Sequence, residues 1–578
     1  MLKRLLCTVL SAITVSLCCL TISCVGLASS EDPKPSGGRT VIRVFETTDI
    51  HGYLMNTTST DESTFQYRMA YIAQAVNNAR ASEEYDDVLL INGGNNYEGT
   101  PVSNLLKGSA VRAAMDAMGY DAVTIGNHEF DWGIDTLNCD PDGTVGAYMV
   151  GAFSGDPQIP VLACNLYYAG TQDRVDFAKD YVMVEKAGLR IALIGYISDF
   201  SSQVMAAKIA PYRIDADMDA LRVRIREINE AQQPDVTVLV AFGNAASIAS
   251  VMEPDQVQLV TGGHNQAAAG SFGYADNGVA YLESACYAQG YVNASIVFEN
   301  GHVTVEELGA TALTGRGADL TLLADTPENT ANLDPVVLAI SHAAWEAVKD
   351  DMCEELGYIT TPVDRTRTGD NGATYAGNWI TTLMLRGTRD QGTVAAFYNN
   401  GGIRTSLTIP TGETRRTVTA GDIYTINPFC NYWYVYEITG PELAQQLLNG
   451  FRNANYGDQM SGLTFTYTQE GGSAQSSGDP SGDGSADPAA YTIVSITLSD
   501  GTEVDLTDTE TVYRVCTSNY SGTLAGSVFE GKEPIVSEAE APIDNITMIG
   551  LLREEAAANN GLLTVDTGIR GEKIETVY

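Results

Sequence analysis

Histidine is nearly absent from this chain. Five imidazoles are spread over 578 residues, which leaves few donors for any histidine-rich metal site. Basic side chains are short too: 33 Lys and Arg face 73 Asp and Glu, a formal charge of −40. A surface of that sign excludes a nucleic-acid backbone or an anionic membrane as main partner, because both need basic patches. A phosphate ligand would then require a local pocket of cations or amide donors. No CxxC pair occurs, which excludes a zinc ribbon. Past residue 25 no apolar run reaches the length of a membrane span.

What is present describes a folded protein. The chain is 44% hydrophobic and 18% charged, and long enough for more than one domain. Lys3 and Arg4 precede an apolar stretch from Leu5 to about Val25, and Gly26 and Ala28 suit a cleavage site. This predicts a secretory signal peptide over residues 1–28 and an exported mature chain with no transmembrane segment. Cys24 offers a lipoprotein alternative, for which Thr21 is a poor −3 residue. Four cysteines fall in the leader; Cys139, Cys164, Cys286, Cys353, Cys430 and Cys516 are scattered beyond it. Export permits disulfides among these six, buried free thiols are the equal alternative, and spacing does not choose.

From Val41 onward strand-like and helix-like segments alternate. VIRVF, DVLLI, AVTIG, LRIALIG, VTVLVAF and VQLVTGG read as strands. Residues 62–82, 103–118 and 215–231 read as helices, the first with Phe65, Met69, Ile72 and Val76 at helical spacing. This alternation predicts an α/β layered domain, whose chemistry gathers in loops beyond the strand C-termini. Those loops read DIHG, NGGNN, GNHEFD, GNAAS and GGHNQ. FENGHVTV then predicts a hairpin turning at Asn300-Gly301, and DPVVLAISHAAWEAVKDDM a connecting helix. A mixed α+β second domain follows, interrupted by a low-complexity insert over residues 469–490 whose aspartates lack calcium-loop spacing.

Asp49 and His51, two apart after a strand, could converge on one divalent cation. Asn127, His128 and Asp131 add an amide oxygen, an imidazole and a carboxylate, and His264 adds another imidazole. A single such triplet is an ordinary polar loop. Three at successive strand ends are a site.

These loops, read as TTDIHGYL, EGTPVSNLLKG, GNHEFDWG and GGHNQ with NNGGIR and NPFCN further on, make the chain resemble the 5'-nucleotidase family. The resemblance covers nearly all of the mature chain. It implies a calcineurin-like metallophosphoesterase α/β sandwich over 40–315, a linker helix over 330–355, and a C-terminal α+β 5'-nucleotidase domain over 356–578. In that family two divalent ions, bridged by one Asp, activate a water that attacks phosphorus. The resemblance makes Asp49, His51, Asn127 and His264 metal ligands, His128 the residue that stabilises the transferring phosphoryl group, and Asp131 its orienting carboxylate. For substrate it implies Asn399 and Arg404, Phe429 stacking on the base with Asn431 beside it, and Tyr520 as the opposing aromatic. A further arginine is matched by Arg365 or Arg367.

The departures are as informative. The bridging Asp of a GDNFQGTP-like loop is Asn95 here, a ligand His after VTVLV is Phe242, and the second His of GGHxH is Gln266. The remaining histidines, His302 in the hairpin and His342 in the connecting helix, read as surface or packing residues. A metal set of Asp49, His51, Asn95, Asn127, His264 and Gln266 holds a single carboxylate, and neutral amides do not offset the cost of dehydrating two dications. Near Gly526 the family's ribose-binding GGDG turn is also lost. The resemblance therefore implies an exported nucleotide- or nucleoside-binding protein with hydrolysis impaired or lost, holding one divalent ion or none. An active nucleotide phosphomonoesterase with an atypical metal site is the alternative, and a surface interaction protein on the same scaffold is a further one.

Overall fold

The computed structural model describes residues 38–56, 60–131, 159–204, 206–265, 269–315, 317–366, 373–429, 431–452, 458–469, 491–524, 526–536 and 541–574. The leader, Cys139, Cys430, Gln266, Arg367 and the insert beyond Gln469 lie outside them.

Six strands of the first half form one sheet and six form another. In the first sheet Thr40–Thr47 runs parallel to Asp87–Asn92, which runs parallel to Ala122–Thr124. In the second, Val236–Phe242 lies between the parallel strands Leu189–Ile197 and Leu259–Thr261. Alternate residues Ile42, Val44, Leu89 and Ile91 meet Leu193, Val238, Val240 and Leu282 between the sheets. At ~1.5–3 kcal/mol per buried aliphatic side chain, this dry layer holds the sheets face to face. Helices cover the outer faces: Arg68–Arg80, Ser109–Met118 and Pro335–Met352 on one side, Met218–Gln232 on the other. The α/β sandwich expected from the alternating segments is the fold observed.

Two local features refine the sequence reading. The helix expected over 103–118 is two helices, Pro101–Leu105 and Ser109–Met118, because Lys107 and Gly108 take φ of 49° and 72° between them. A Cβ on Gly108 would come within 2.6 Å of the Tyr97 side chain, so this joint needs glycine. The connecting helix starts where Asp334 accepts from the Val336 and Val337 N–H groups, with Pro335 opening the first turn. The Asn300-Gly301 hairpin forms as expected, with φ of 53° and 79°.

In the second half a four-stranded sheet is built from Trp433–Thr439, Val512–Ser518, Ala395–Asn399 and Asp458–Ser461. Helices Tyr375–Gly387 and Asp544–Ala558 pack on one face through Trp379, Leu383, Met548 and Leu552. A smaller sheet and helix Gly440–Arg452 cover the other. The halves touch where Asn104 donates to the Pro428 carbonyl, 2.5 Å, and where the Phe429 ring faces His128. Cys164, Cys286, Cys353 and Cys516 are free thiols. Among the described residues no helix is long and apolar enough to cross a membrane.

Candidate active site

The parallel strands deliver their C-terminal ends to one edge of the sandwich, where the loops lock together through backbone hydrogen bonds. The Asp49, His51 and Gly52 N–H groups donate to the carbonyls of Gly94, Asn95 and Asn96 at 2.8–2.9 Å, and Thr100 N–H donates to the His51 carbonyl. Asp49, His51, Asn95 and His264 all sit at positive φ, between 47° and 79°. Left-handed backbone at a non-glycine residue costs ~1 kcal/mol or more, so four such positions around one spot mark a site held in place by its surroundings. Glu129 acts as the clamp: its carboxylate accepts the N–H groups of Asn95, Asn96 and Gly126 at 2.7–2.9 Å.

Asn95 occupies the centre. Its Nδ2 donates to Asp49 Oδ1 at 3.0 Å and to Asn127 Oδ1 at 3.1 Å, while its Oδ1 accepts the His128 N–H at 3.0 Å. The opposite amide orientation would set oxygen against two oxygens and NH₂ against N–H, so the hydrogen bonds fix the orientation. The second Asp49 oxygen accepts from the His264 N–H, 2.8 Å, and from Thr48 Oγ1, 3.0 Å.

Phe242 is fully buried, packed edge-on against Phe200 at 5.5 Å and among Ile125, Phe130 and Ile197. Its ring also lies 5.0 Å from that of His264. Burial holds the His264 pKa below the usual imidazole value despite Asp49, and nearby His128 and His51 add to the effect.

These contacts test whether the family's ion pair fits. Asp49 Oδ1 and Asn127 Oδ1 both accept from one amide NH₂, and a phenyl side chain fills an apolar pocket where a ligand would stand. The described residues do not fit a bridged pair of dications.

His128 and Asp131 make a direct pair, Nδ1 to Oδ2 2.7 Å. Burial works against the charged ring, but Asp131 and Glu98 outweigh it and raise the His128 pKa to about 9. Glu98 was not singled out in the sequence. Its Oε2 lies 3.4 Å from Nδ1 of both His51 and His128, and its side chain is 1% exposed. Burial opposes its ionisation, yet His128, His51 and Arg404 together hold its pKa below the usual carboxylate value. Glu98 stands at the Gln position of the GDNFQGTP-like loop, so the loop loses one carboxylate at Asn95 and gains one three residues on.

The second half contributes a cover. Phe429 lies 6.1 Å from the His128 ring at 25°, and the Arg404 guanidinium lies 5.0 Å over Phe429. Arg404 Nη1 donates to the Gly401 carbonyl, and Arg365 Nη1 donates to the Arg404 carbonyl at 2.8 Å. The structure thus sets Arg365 beside Arg404, whereas Arg367 is not described. Asn399 ends its strand with a buried Oδ1 that has no hydrogen-bond partner. The Asn431 carbonyl accepts from Asp544 N–H, and Tyr520 lies in the short helix Asn519–Gly522. Gly526 takes φ of 76° and its N–H donates to Glu530. Sequence reasoning also missed Tyr287, whose ring packs on His51 at 5.4 Å and whose N–H donates to the Asp49 carbonyl.

Residues 355–530 match the family model described as 5'-nucleotidase, C-terminal domain. The chain is 24% identical over 544 residues to an endonuclease, YhcR, of Bacillus subtilis, spanning 87% of this chain but only 39% of that one. It is 23% identical over 452 residues to a 5'-nucleotidase of Vibrio vulnificus, spanning 70% of this chain and 75% of the relative. The fold is shared with the solved 5'-nucleotidase precursor of Thermus thermophilus, at a TM-score of 0.65 and 20% identity over 93% of this chain and all of that one. Residues 355–530 thus carry the C-terminal domain of the 5'-nucleotidase family, and over most of its length the chain is similar to 5'-nucleotidases in sequence and shares their fold.

Proposed function

We propose that this chain is an exported nucleotide- or nucleoside-binding member of its family in which phosphoester hydrolysis is impaired or lost. The observation that carries this reading is the Asn95 amide, which holds Asp49 and Asn127 together by hydrogen bonds where a bridged ion pair would need lone pairs. A carboxylate at that position would repel Asp49 unless a cation lay between them; an amide closes the gap with no ion. Ligand binding is supported by the Arg404–Phe429 shelf, which offers a planar cation for phosphate and a ring for a base. Export is supported by the leader-like first 28 residues.

Two measurements test it together. Calorimetry with AMP and adenosine should show saturable binding, and phosphate release from AMP with added divalent cations should stay near background. Turnover at rates ordinary for an enzyme would sink the lost-catalysis reading and favour an active phosphomonoesterase, which the retained His128–Asp131 pair also supports. No binding of any nucleotide or nucleoside would favour an interaction role.

A further inference from the structure

The two halves meet at Phe429, and a side chain of the first half ties this meeting point down. Asn104 lies in the helix Pro101–Leu105 and is 2% exposed. Its Oδ1 accepts the Gly99 N–H at 2.9 Å, and its Nδ2 donates to the Pro428 carbonyl at 2.5 Å. The opposite amide orientation would set oxygen against the carbonyl and NH₂ against N–H, so the two bonds fix the orientation. The Gly99 end is tightly built. A Cβ there would come within 2.3 Å of the His51 carbonyl, and Thr100 Oγ1 caps the helix while donating to the Gly52 carbonyl at 2.7 Å. One buried amide therefore ties the loop of His51 to the residue that precedes Phe429.

The segment held in this way is anchored again upstream. Helix Ala420–Ile426 lies against the connecting helix, where a Cβ on Gly421 would come within 2.7 Å of the Met352 side chain. Tyr424 packs against the cores of both halves. The Arg404 N–H donates to the Ile426 carbonyl at 2.9 Å, so Arg404 and Phe429 both hang from the last turn of this helix. Past its cap Asn427 the chain leaves the helix, and the Asn104 bond falls immediately before the ring that faces His128 at 6.1 Å and 25°. We propose that Asn104 is a positioning residue for ligand binding: it holds the Phe429 ring, with the Arg404 guanidinium 5.0 Å over it, in place beside His128. A ring fixed before the ligand arrives spares the cost of ordering it, and a ring set at the wrong offset or angle loses its stack. The inference rests on the nucleotide- or nucleoside-binding reading and adds the first-half group that tunes it.

The test is a double-mutant cycle in the full chain, read as calorimetric affinity for adenosine and for AMP. Asn104→Ala removes both bonds of the amide. Asn104→Asp, measured at about pH 8, keeps an acceptor for the Gly99 N–H and removes only the donor to Pro428, so it serves where the alanine variant fails to fold. Either variant should weaken binding about fivefold with Phe429 present, and by less than about twofold in a Phe429→Ala background. A merely structural loss would persist in that background. Unchanged affinity in both single variants overturns the proposal, and so do losses that multiply in the double variants. In those cases the unaltered chain still binds, and the nucleotide or nucleoside reading stands. Failure of the unaltered chain to bind either ligand overturns that reading and the proposal with it.

Discussion

The two halves carry their functional loops in opposite states. In the first, the groups that would face a ligand face each other: Asn95 joins Asp49 to Asn127, and the remaining Asp49 oxygen takes the His264 N–H. In the second, Arg404 lies over Phe429, and the buried Asn399 Oδ1 has no partner. The difference teaches how one side chain can join two loops, since the Asn95 amide alone links Asp49 to Asn127. One carboxylate replaced by an amide turns repulsion into a donated pair of hydrogen bonds. The comparison then gives an order of expected effects. The largest is the cost of reversing the first half at Phe242. Phe242→His would place two ring nitrogens among Ile125, Phe130, Ile197 and Phe200. The expected destabilisation is about 3 kcal/mol, read as a lower midpoint in denaturant at unchanged slope. A neutral result would mean that the pocket still accepts a ligand.

Asn95→Asp should come next. It removes both donated hydrogen bonds and sets a second carboxylate close to Asp49, where the donor–acceptor distance is now 3.0 Å. The expected loss is about 2 kcal/mol without added ions. Divalent cations should restore more stability to the variant than they add to the unaltered chain, measured as paired melting curves. Equal increments would show that Asn95 is not what keeps the first half closed. In the second half, Phe429→Ala should leave melting nearly unmoved, because the ring is only partly buried. Its affinity for AMP or adenosine should fall about tenfold, the value of one lost aromatic stack.

Much of this contrast is visible in the sequence, and the rest is hidden for physical reasons. Strict periodicity exposed the sandwich strands and the connecting helix, because a sheet buried on both faces leaves continuous apolar runs. The break at Lys107-Gly108 was not legible: it answers to Tyr97, a tertiary neighbour, and helical spacing runs across it. Asp49, His51, Asn127, His128, Asp131 and His264 could be named because each follows a strand. Glu98 and Glu129 could not. An acid in a loop has no period, and their roles arise only once separate loops lock through the Asp49, His51 and Gly52 amides. Arg365 acts through a backbone carbonyl, which no side-chain pattern reports.

The smallest effect is a change of slope rather than of level, and it belongs to the second half. Asp544 is fully buried beside Tyr398, 3.4 Å from its hydroxyl, and accepts the Asn545 N–H at 2.6 Å. Burial outweighs these bonds and pushes its pKa from 3.8 to about 7. The folded chain therefore keeps a proton that the unfolded chain has already released. The sign follows: the contribution to stability is complete below about pH 3.8 and is lost as pH rises through about 7. Asp544→Asn is neutral at every pH, so its stability should lack that decline. Denaturant curves of the two proteins between pH 5 and 8 should diverge, the unaltered chain losing ground to the variant as pH rises. Parallel curves would mean that Asp544 is ionised in the folded state with its charge compensated from the Tyr398 side. The second half would then be as closed upon itself as the first.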